Sequence, residues 1–245
     1  MCPIWRNGCN VLALSAGVLL AGCGTNGNSG VRVVNASPGL SGFTVQVGVI
    51  GVASSLPYGT EGVEQGGQYT LDTSGKYRPV GAGTKQALIV YAATPSDVLT
   101  TSTQTLVKGT NYTLVTLGHA PSIALLTLTD NGTTPTAGGA SLRIVQASSL
   151  AGPVDVYVTA AGAPLPGTPT APGLGFTSVT TYLPVPGASD EIRVTPQGNP
   201  GQILVDETVP LSGGGLYTAY PLDPQVGGAT KFGLLVTGDA GITAK

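Results

Sequence analysis

Charge is scarce in this chain: ten Lys and Arg and twelve Asp and Glu among 245 residues, for a formal net charge of −2. A nucleic-acid binder needs clustered cations to neutralise phosphates, so nucleic acid is excluded as a partner. Histidine occurs once, at His119, which rules out a three-His metal site and forces any Ser-His-Asp triad to use that residue. Aromatics are 5% of the chain, with one Trp and three Phe. The three cysteines lie at positions 2, 9 and 23, with none beyond. Stretches free of Gly and Pro are also short. Past the N-terminal segment the longest is 96–108, thirteen residues rich in Thr and Ser and poor material for a helix interior. What is plentiful is Gly (38), Pro (19) and 41% hydrophobic residues. That apolar content is too high for intrinsic disorder, and together these features imply an all-β protein punctuated by turns.

The N-terminal segment has to be set aside before the fold is read. Arg6 precedes an apolar run over 11–20. The run is too short for a spanning helix, which takes roughly 20 apolar residues, and it suits a signal-peptide core. It ends in Leu20-Ala21-Gly22-Cys23, which resembles the lipobox of bacterial lipoproteins. The resemblance implies cleavage before Cys23 and acylation of its thiol, with 1–22 as signal peptide and 23–30 as lipidated Cys and flexible tether. Cys2 and Cys9 would leave with the signal and Cys23 would be consumed by lipid. Disulfides, cysteine metal sites and cysteine nucleophiles are thereby excluded. Several acyl chains hold a protein to a bilayer essentially permanently, at about 0.8 kcal/mol per buried CH₂. The expected address is the bacterial cell envelope. Because Gly24 rather than Asp follows the cysteine, the outer membrane is favoured where the host has two.

The rest of the chain repeats. Val31-Arg32-Val33-Val34-Asn35-Ala36-Ser37 recurs 111 residues on as Leu142-Arg143-Ile144-Val145-Gln146-Ala147-Ser148, and Phe43–Val47 aligns with Val154–Val158 at the same offset. LVKGTNYT at 106–113 matches LSGGGLYT at 211–218 with an offset of 105, and 125–130 corresponds to 234–239. Six residues are thus missing from the second copy, as surface loops permit. The repeat predicts domains over 31–130 and 141–245, joined by a Gly- and Thr-rich linker at 131–140. Within each unit the apolar period is two: Phe43, Val45, Val47 and Val49 alternate with Thr44, Gln46, Gly48 and Ile50, as Val154, Val156 and Val158 do with Asp155 and Tyr157. Strands with one face on a core follow. The spacing places further strands near 31–36, 68–72, 86–92, 102–107, 111–117 and 123–129, then near 141–147, 177–183, 190–195, 202–208, 215–220 and 231–237. About seven strands per hundred residues predict two tandem Ig-like antiparallel β-sandwich domains.

The residues Arg32 to Pro38 (RVVNASP), Arg143 to Ser148 (RIVQAS), the following PVDVYV at 153–158, and the Gly-x-x-Tyr-Thr pattern at 109–113 and 214–218 resemble the bacterial envelope domain known as domain of unknown function 4397. The family commonly has His where this chain has Asn35 and Gln146, and Asp where the first copy has Thr44. The resemblance implies two copies of a secreted or lipid-anchored β-domain and brings no known activity.

Candidate sites are few. His119 sits in a turn, Gly118-His119-Ala120-Pro121, without a counterpart in the second unit, and reads as a loop residue without chemistry. Asp190-Glu191 and Asp206-Glu207 are adjacent pairs whose members point to opposite faces of a strand, so only one carboxylate from each pair can meet the other. The bland reading is a solvated edge or cross-strand partners for Arg193. Asp72, Asp97, Asp130, Asp223 and Asp239 are isolated in turns, where Asp commonly bonds its own backbone, and no calcium loop is present. Arg32 and Arg143 place a guanidinium second in the first strand of each copy; the favoured reading is an equivalent ion pair or an edge-strand cation, the sharper one a ligand carboxylate or sulfate. Tyr112 and Tyr217 fit a tyrosine corner. A sugar platform would have to draw on Tyr58, Tyr77, Tyr91, Tyr157, Tyr182 or Tyr220.

Arg32, Arg143, Tyr112 and Tyr217 are therefore the candidate ligand contacts, with Leu20, Ala21, Gly22 and Cys23 as the lipidation motif. No catalytic set, metal site or cofactor is expected. The chain reads as a lipid-anchored, non-catalytic binding, spacer or structural protein of the envelope, partnered by the membrane and by an envelope protein or glycan. The alternatives are an adhesin or glycan-binding module and, below it, a carboxylate-dependent hydrolase.

Overall fold

The computed structural model of the chain describes residues 27–239 apart from 66–67, 72–76, 92–93, 95, 131, 134, 136–137 and 229. The lipidation motif lies outside the described residues. All regular structure among them is β. The first ten strands are β1 (Asn28–Asn35), β2 (Phe43–Val47), β3 (Ile50–Ser54), β4 (Thr60–Gln65), β5 (Gln68–Leu71), β6 (Arg78–Gly81), β7 (Gly83–Tyr91), β8 (Val98–Leu106), β9 (Asn111–Leu117) and β10 (Ala124–Thr129). Eight more follow: β11 (Ala140–Ile144), β12 (Val154–Ala160), β13 (Ala171–Leu174), β14 (Leu183–Val185), β15 (Ala188–Pro196), β16 (Val205–Leu211), β17 (Leu216–Leu222) and β18 (Gly233–Gly238).

The strands form two β-sandwiches of matching topology. In the first, a sheet ordered β10-β9-β1-β4-β5, with β6 on the other half of β1, faces a sheet ordered β3-β2-β7-β8. In the second, β14-β11-β17-β18 faces β13-β12-β15-β16. Each first strand runs parallel to the penultimate one, with Val31 opposite Tyr112 and Leu142 opposite Tyr217. All the other pairings are antiparallel. The tandem β-sandwich expected from the alternation is therefore the fold, with one parallel pair at the heart of each unit.

Several local readings differ. The period-two run assigned to 43–50 breaks at a two-residue turn: Gly48 has φ +62°, Val49 is 96% exposed, and Ile50 opens β3. The segment 177–183 holds only an isolated bridge, Val145 to Val179, before the short β14. The strands β3, β4, β6 and β13 escape sequence reading, β6 (RPVG) and β13 (APGL) because Pro and Gly are half of each. Part of the tether is also ordered, since Asn28–Gly30 belong to β1 and pair with β6.

Phe43, Val45 and Val47 of β2, Ala87 and Ile89 of β7 and Val31 and Val33 of β1 fill the first core. Val154, Val156 and Val158 with Ile192 and Val194 do the same in the second. A third cluster lies between the sandwiches, where Val34, Val115, Leu117 and Leu128 of the first meet Val145, Tyr220 and Leu222 of the second. Each fully buried Val or Leu contributes about 1.5–3 kcal/mol. The first sandwich's β1 and β9 and the second's β11 and β17 are thus covered on both faces, which is why every residue of β11 and β17 is buried. This junction holds the chain's most densely connected charges.

Candidate functional site at the junction of the two sandwiches

Strand alternation decides which way the arginines point. Val31 and Val33 enter the first core, so Arg32 between them projects from the opposite face of β1, toward the second sandwich. Leu142 and Ile144 do the same on β11 and send Arg143 back toward the first. Both are buried, at 1% and 4% exposure.

The two guanidinium groups make closely parallel sets of bonds. Arg32 Nε donates to Thr113 Oγ1 at 2.7 Å, and Arg143 Nε to Thr218 Oγ1 at 3.0 Å. Each crosses to the other sandwich: Arg32 Nη2 donates to Asp239 Oδ1 and Nη1 to the Gly238 carbonyl at 2.6 Å, while Arg143 Nη2 donates to Asp130 Oδ1 at 2.5 Å and Nη1 to the Thr129 carbonyl at 2.9 Å. Asp130 and Asp239 are held in turn by the hydroxyls of Thr113 and Tyr77, and of Thr218 and Tyr182. Tyr77 lies under Arg32 and Tyr182 under Arg143, with Cζ 4.9 and 4.8 Å from the ring centroids. A pseudo-two-fold axis relates the halves, so the junction is built as an isologous dimer interface is.

Electrostatics follow from this closeness. Burial works against the Arg32 charge, but Glu61, Asp239 and Asp130 outweigh it and raise the group further above its ordinary value. Burial, reinforced by Asp239, pushes the Asp130 carboxyl up despite Arg32 and Arg143. Burial likewise raises the hydroxyls of Tyr77, Tyr182 and Tyr220.

One element breaks the symmetry. Glu61, opposite Val34 across β1 and β4, accepts a 2.6 Å bond from Arg32 Nη1. Its counterpart opposite Val145 is Val179.

A second clasp closes another part of the junction. The Asp223 carboxylate accepts from Ser148 Oγ, from Ser149 N and Oγ at 3.1 and 2.8 Å and from Leu150 N at 3.0 Å. His119 Nε2 of the first sandwich lies 3.0 Å from the same carboxylate, and the Tyr58 hydroxyl donates to the Asp223 carbonyl at 2.6 Å. Burial raises this carboxyl, but the bonds from Ser148, Leu150, Ser149 and His119 outweigh that and hold it below the ordinary range. Ser148 and His119 both bond the carboxylate rather than each other, so this is not the relay order of a triad. His119, read from sequence as a loop residue, is a cross-sandwich contact. Its turn depends on Gly118, which has φ +85° and whose added Cβ would lie 2.6 Å from the Ser122 carbonyl oxygen. Gly118→Ala is expected to cost about 2 kcal/mol or more in urea unfolding, since left-handed backbone alone costs a non-glycine residue roughly 1–2 kcal/mol.

The remaining sequence candidates have structural partners. The Tyr112 hydroxyl accepts from Val107 N at 3.0 Å and that of Tyr217 from Ser212 N at 2.7 Å, each five residues back, as a tyrosine corner does. Asn35 ties Leu40, Leu56, Ser37 and Thr116 together, and Gln146 bonds Gly152 and Ser148, so these paired positions brace the loops after each first strand. Asp155 accepts from Gly173 N and Gly198 N. Of the six tyrosines considered for a sugar platform, Tyr91 is exposed, while Tyr157 and Tyr220 are buried and Tyr58, Tyr77 and Tyr182 are engaged at the junction.

The acidic pairs behave as alternation requires. Asp190 turns inward, and burial raises its carboxyl against a lowering contact with the Gly187 backbone. Glu191 and Asp206 touch across β15 and β16. Bonds from Gly162 and Asp206 hold Glu191 low, while burial and Glu191 hold Asp206 high. Carboxyl groups that share a hydrogen bond stand closer than the roughly 5 to 9.5 Å that separates glycosidase carboxylates. Among the described residues no group of three or more His, Cys, Asp or Glu could hold a metal ion.

Sequence reading brought the two arginines forward but took Asp130 and Asp239 as isolated turn residues. The usable signal is the correspondence of 125–130 with 234–239, which places an acid just after the last strand of both sandwiches.

No curated protein matches the chain. Among solved structures, it is similar to a family 26 carbohydrate-binding module of Eubacterium rectale, determined in complex with maltoheptaose, at 11% identity over 84% of this chain and 95% of that one. The TM-score is 0.27, too low for the likeness to bear on function. A family model described as "Domain of unknown function (DUF4397)" matches residues 29–157, from β1 into β12.

Proposed function

This chain belongs to the DUF4397 family, and we propose that it is a lipid-anchored, non-catalytic protein of the bacterial envelope whose two sandwiches act as one rigid spacer and binding body. The observation that carries this reading is the reciprocal Arg32–Asp239 and Arg143–Asp130 pairing. Inter-domain contacts of ordinary kind permit relative motion. Here a buried apolar cluster and two crossed ion pairs oppose it, and such pairs serve geometry more than net stability. The second sandwich is in this reading a second copy of the family domain, which its matching strand order and the repeats at offsets of 111 and 105 support.

Anchoring rests on Leu20-Ala21-Gly22-Cys23 and the short apolar run before it. The non-catalytic reading is supported by the charged groups at the junction, whose bonds, one N–H of Arg143 apart, run to one another, to neighbouring hydroxyls and to the backbone. Cys23→Ser is expected to move the protein from the membrane to the soluble fraction and to abolish metabolic acyl labelling; a variant still labelled and sedimenting with membranes would refute the anchor. Crosslinking in intact envelopes, combined with protease shaving of whole cells, then tests the binding role by identifying the partner and the exposed side.

A further inference from the structure

The break in the pseudo-symmetry has a chemical consequence. An arginine side chain carries five N–H donors. In Arg143 four are taken among the described residues: Nε by Thr218, one on Nη1 by the Thr129 carbonyl, and both on Nη2 by Asp130 and Asp239. The fifth, on Nη1, corresponds to the donor that Arg32 gives to Glu61. In the first sandwich that acceptor comes from β4 itself; in the second, Val179 stands at the same register position and supplies none.

Arg143 lines a cleft on this side of the junction. Its volume is ≈ 470 Å³, within the range of about 300–1,000 Å³ typical of small-ligand sites. Thr129, whose carbonyl takes the other Nη1 hydrogen, lines it together with Arg143, Val179, Thr181 and Tyr182. The walls are Thr hydroxyls, aliphatic groups and the ring that stacks on the guanidinium.

We infer that the cleft over Arg143 binds a carboxylate, in the place that Glu61 fills over Arg32 in the first sandwich. The molecule itself provides the precedent, because Arg32 holds Glu61 while also holding Asp239 across the junction. A guanidinium edge beside a small apolar wall suits a carboxylate on a short aliphatic stem, such as propionate or a glutamate side chain. This goes beyond the anchored-spacer reading and does not depend on it.

The test is NMR titration of the soluble chain lacking residues 1–23, at constant ionic strength, with propionate, with its neutral isostere propionamide, and with the blocked tripeptide acetyl-Gly-Glu-Gly-amide. Propionate is expected to shift the amides of Thr129 and Thr180–Tyr182 saturably, with half-saturation on the order of 10 mM for a ligand of so few atoms. Propionamide should not. A tripeptide bound at least tenfold more tightly than propionate assigns the site to an acidic protein segment; equal binding assigns it to small carboxylates. Val179→Glu, at a position 40% exposed, should supply the carboxylate internally and abolish the shifts while the fold stays intact by circular dichroism. Absence of propionate shifts, equal shifts with propionamide, or shifts that persist in Val179→Glu would each overturn the inference, and none of these would touch the anchor or the locked pair of sandwiches.

Discussion

Arg32→Ala is expected to destabilise the protein by about 3–5 kcal/mol, because it takes from buried Glu61 and Asp239 the arginine they share and leaves Asp239 only its longer contact with Arg143. The loss is larger than the net worth of the ion pairs. What it measures is chiefly the cost of buried carboxylates left short of positive charge. Two consequences separate this from an ordinary cavity mutation. Adding Asp239→Asn to Arg32→Ala should recover part of the loss, since it removes one of the under-compensated buried charges, and the double-mutant cycle should show a coupling above about 1 kcal/mol. The junction should also open before the cores do, so small-angle scattering in mild denaturant should report an elongated, still folded pair of sandwiches. A loss below about 1 kcal/mol, with no coupling to Asp239, would mean that the apolar cluster alone holds the junction.

Asp223→Ala should cost about 3 kcal/mol. The substitution strands two backbone N–H groups, of Ser149 and Leu150, and the buried Ser148 hydroxyl, and it removes the acceptor for His119. Each unmet buried donor costs roughly 1–3 kcal/mol, and neighbouring losses do not add fully. The pH dependence has a definite sign. Asp223 is held low in the folded protein, so its contribution is present above the ordinary carboxylate value of about 3.9 and is lost as pH falls through the lowered one. Asp130 is raised, so its contribution is present below about 3.9 and is lost as pH rises through its folded value. Urea midpoints of Asp223→Ala should therefore fall less steeply below about pH 4 than those of the parent, while Asp130→Asn should flatten the profile on the side above it. An unchanged acid limb in Asp223→Ala would show that the clasp is already open in solution.

Legibility differed by level. Alternation in 43–47 and 154–158 identified core-facing strands because a side-chain period of two needs no knowledge of the partner. It failed at Gly48-Val49, where the hydrophobic pattern continues through a turn that the backbone makes, and at β6 and β13, where pairing with a neighbour outweighs the poor intrinsic preference of Pro and Gly. Tyr112 and Tyr217 were readable as corners because their partners lie five residues away. Asp130, Asp239 and His119 were not, because each acquires its role from the other sandwich.

The boundary between the two kinds of knowledge is clearest at Arg32 and Arg143. From sequence alone, the repeat and the alternation determine that two guanidinium groups occupy equivalent places, each turned away from the core of its own strand. Only the tertiary structure decides that those faces cover one another, so that each arginine meets an acid 207 or 13 residues away. Local pattern encodes which side of a strand is apolar. What lies against the polar side depends on how two finished sheets pack, and that depends on every residue of both surfaces at once.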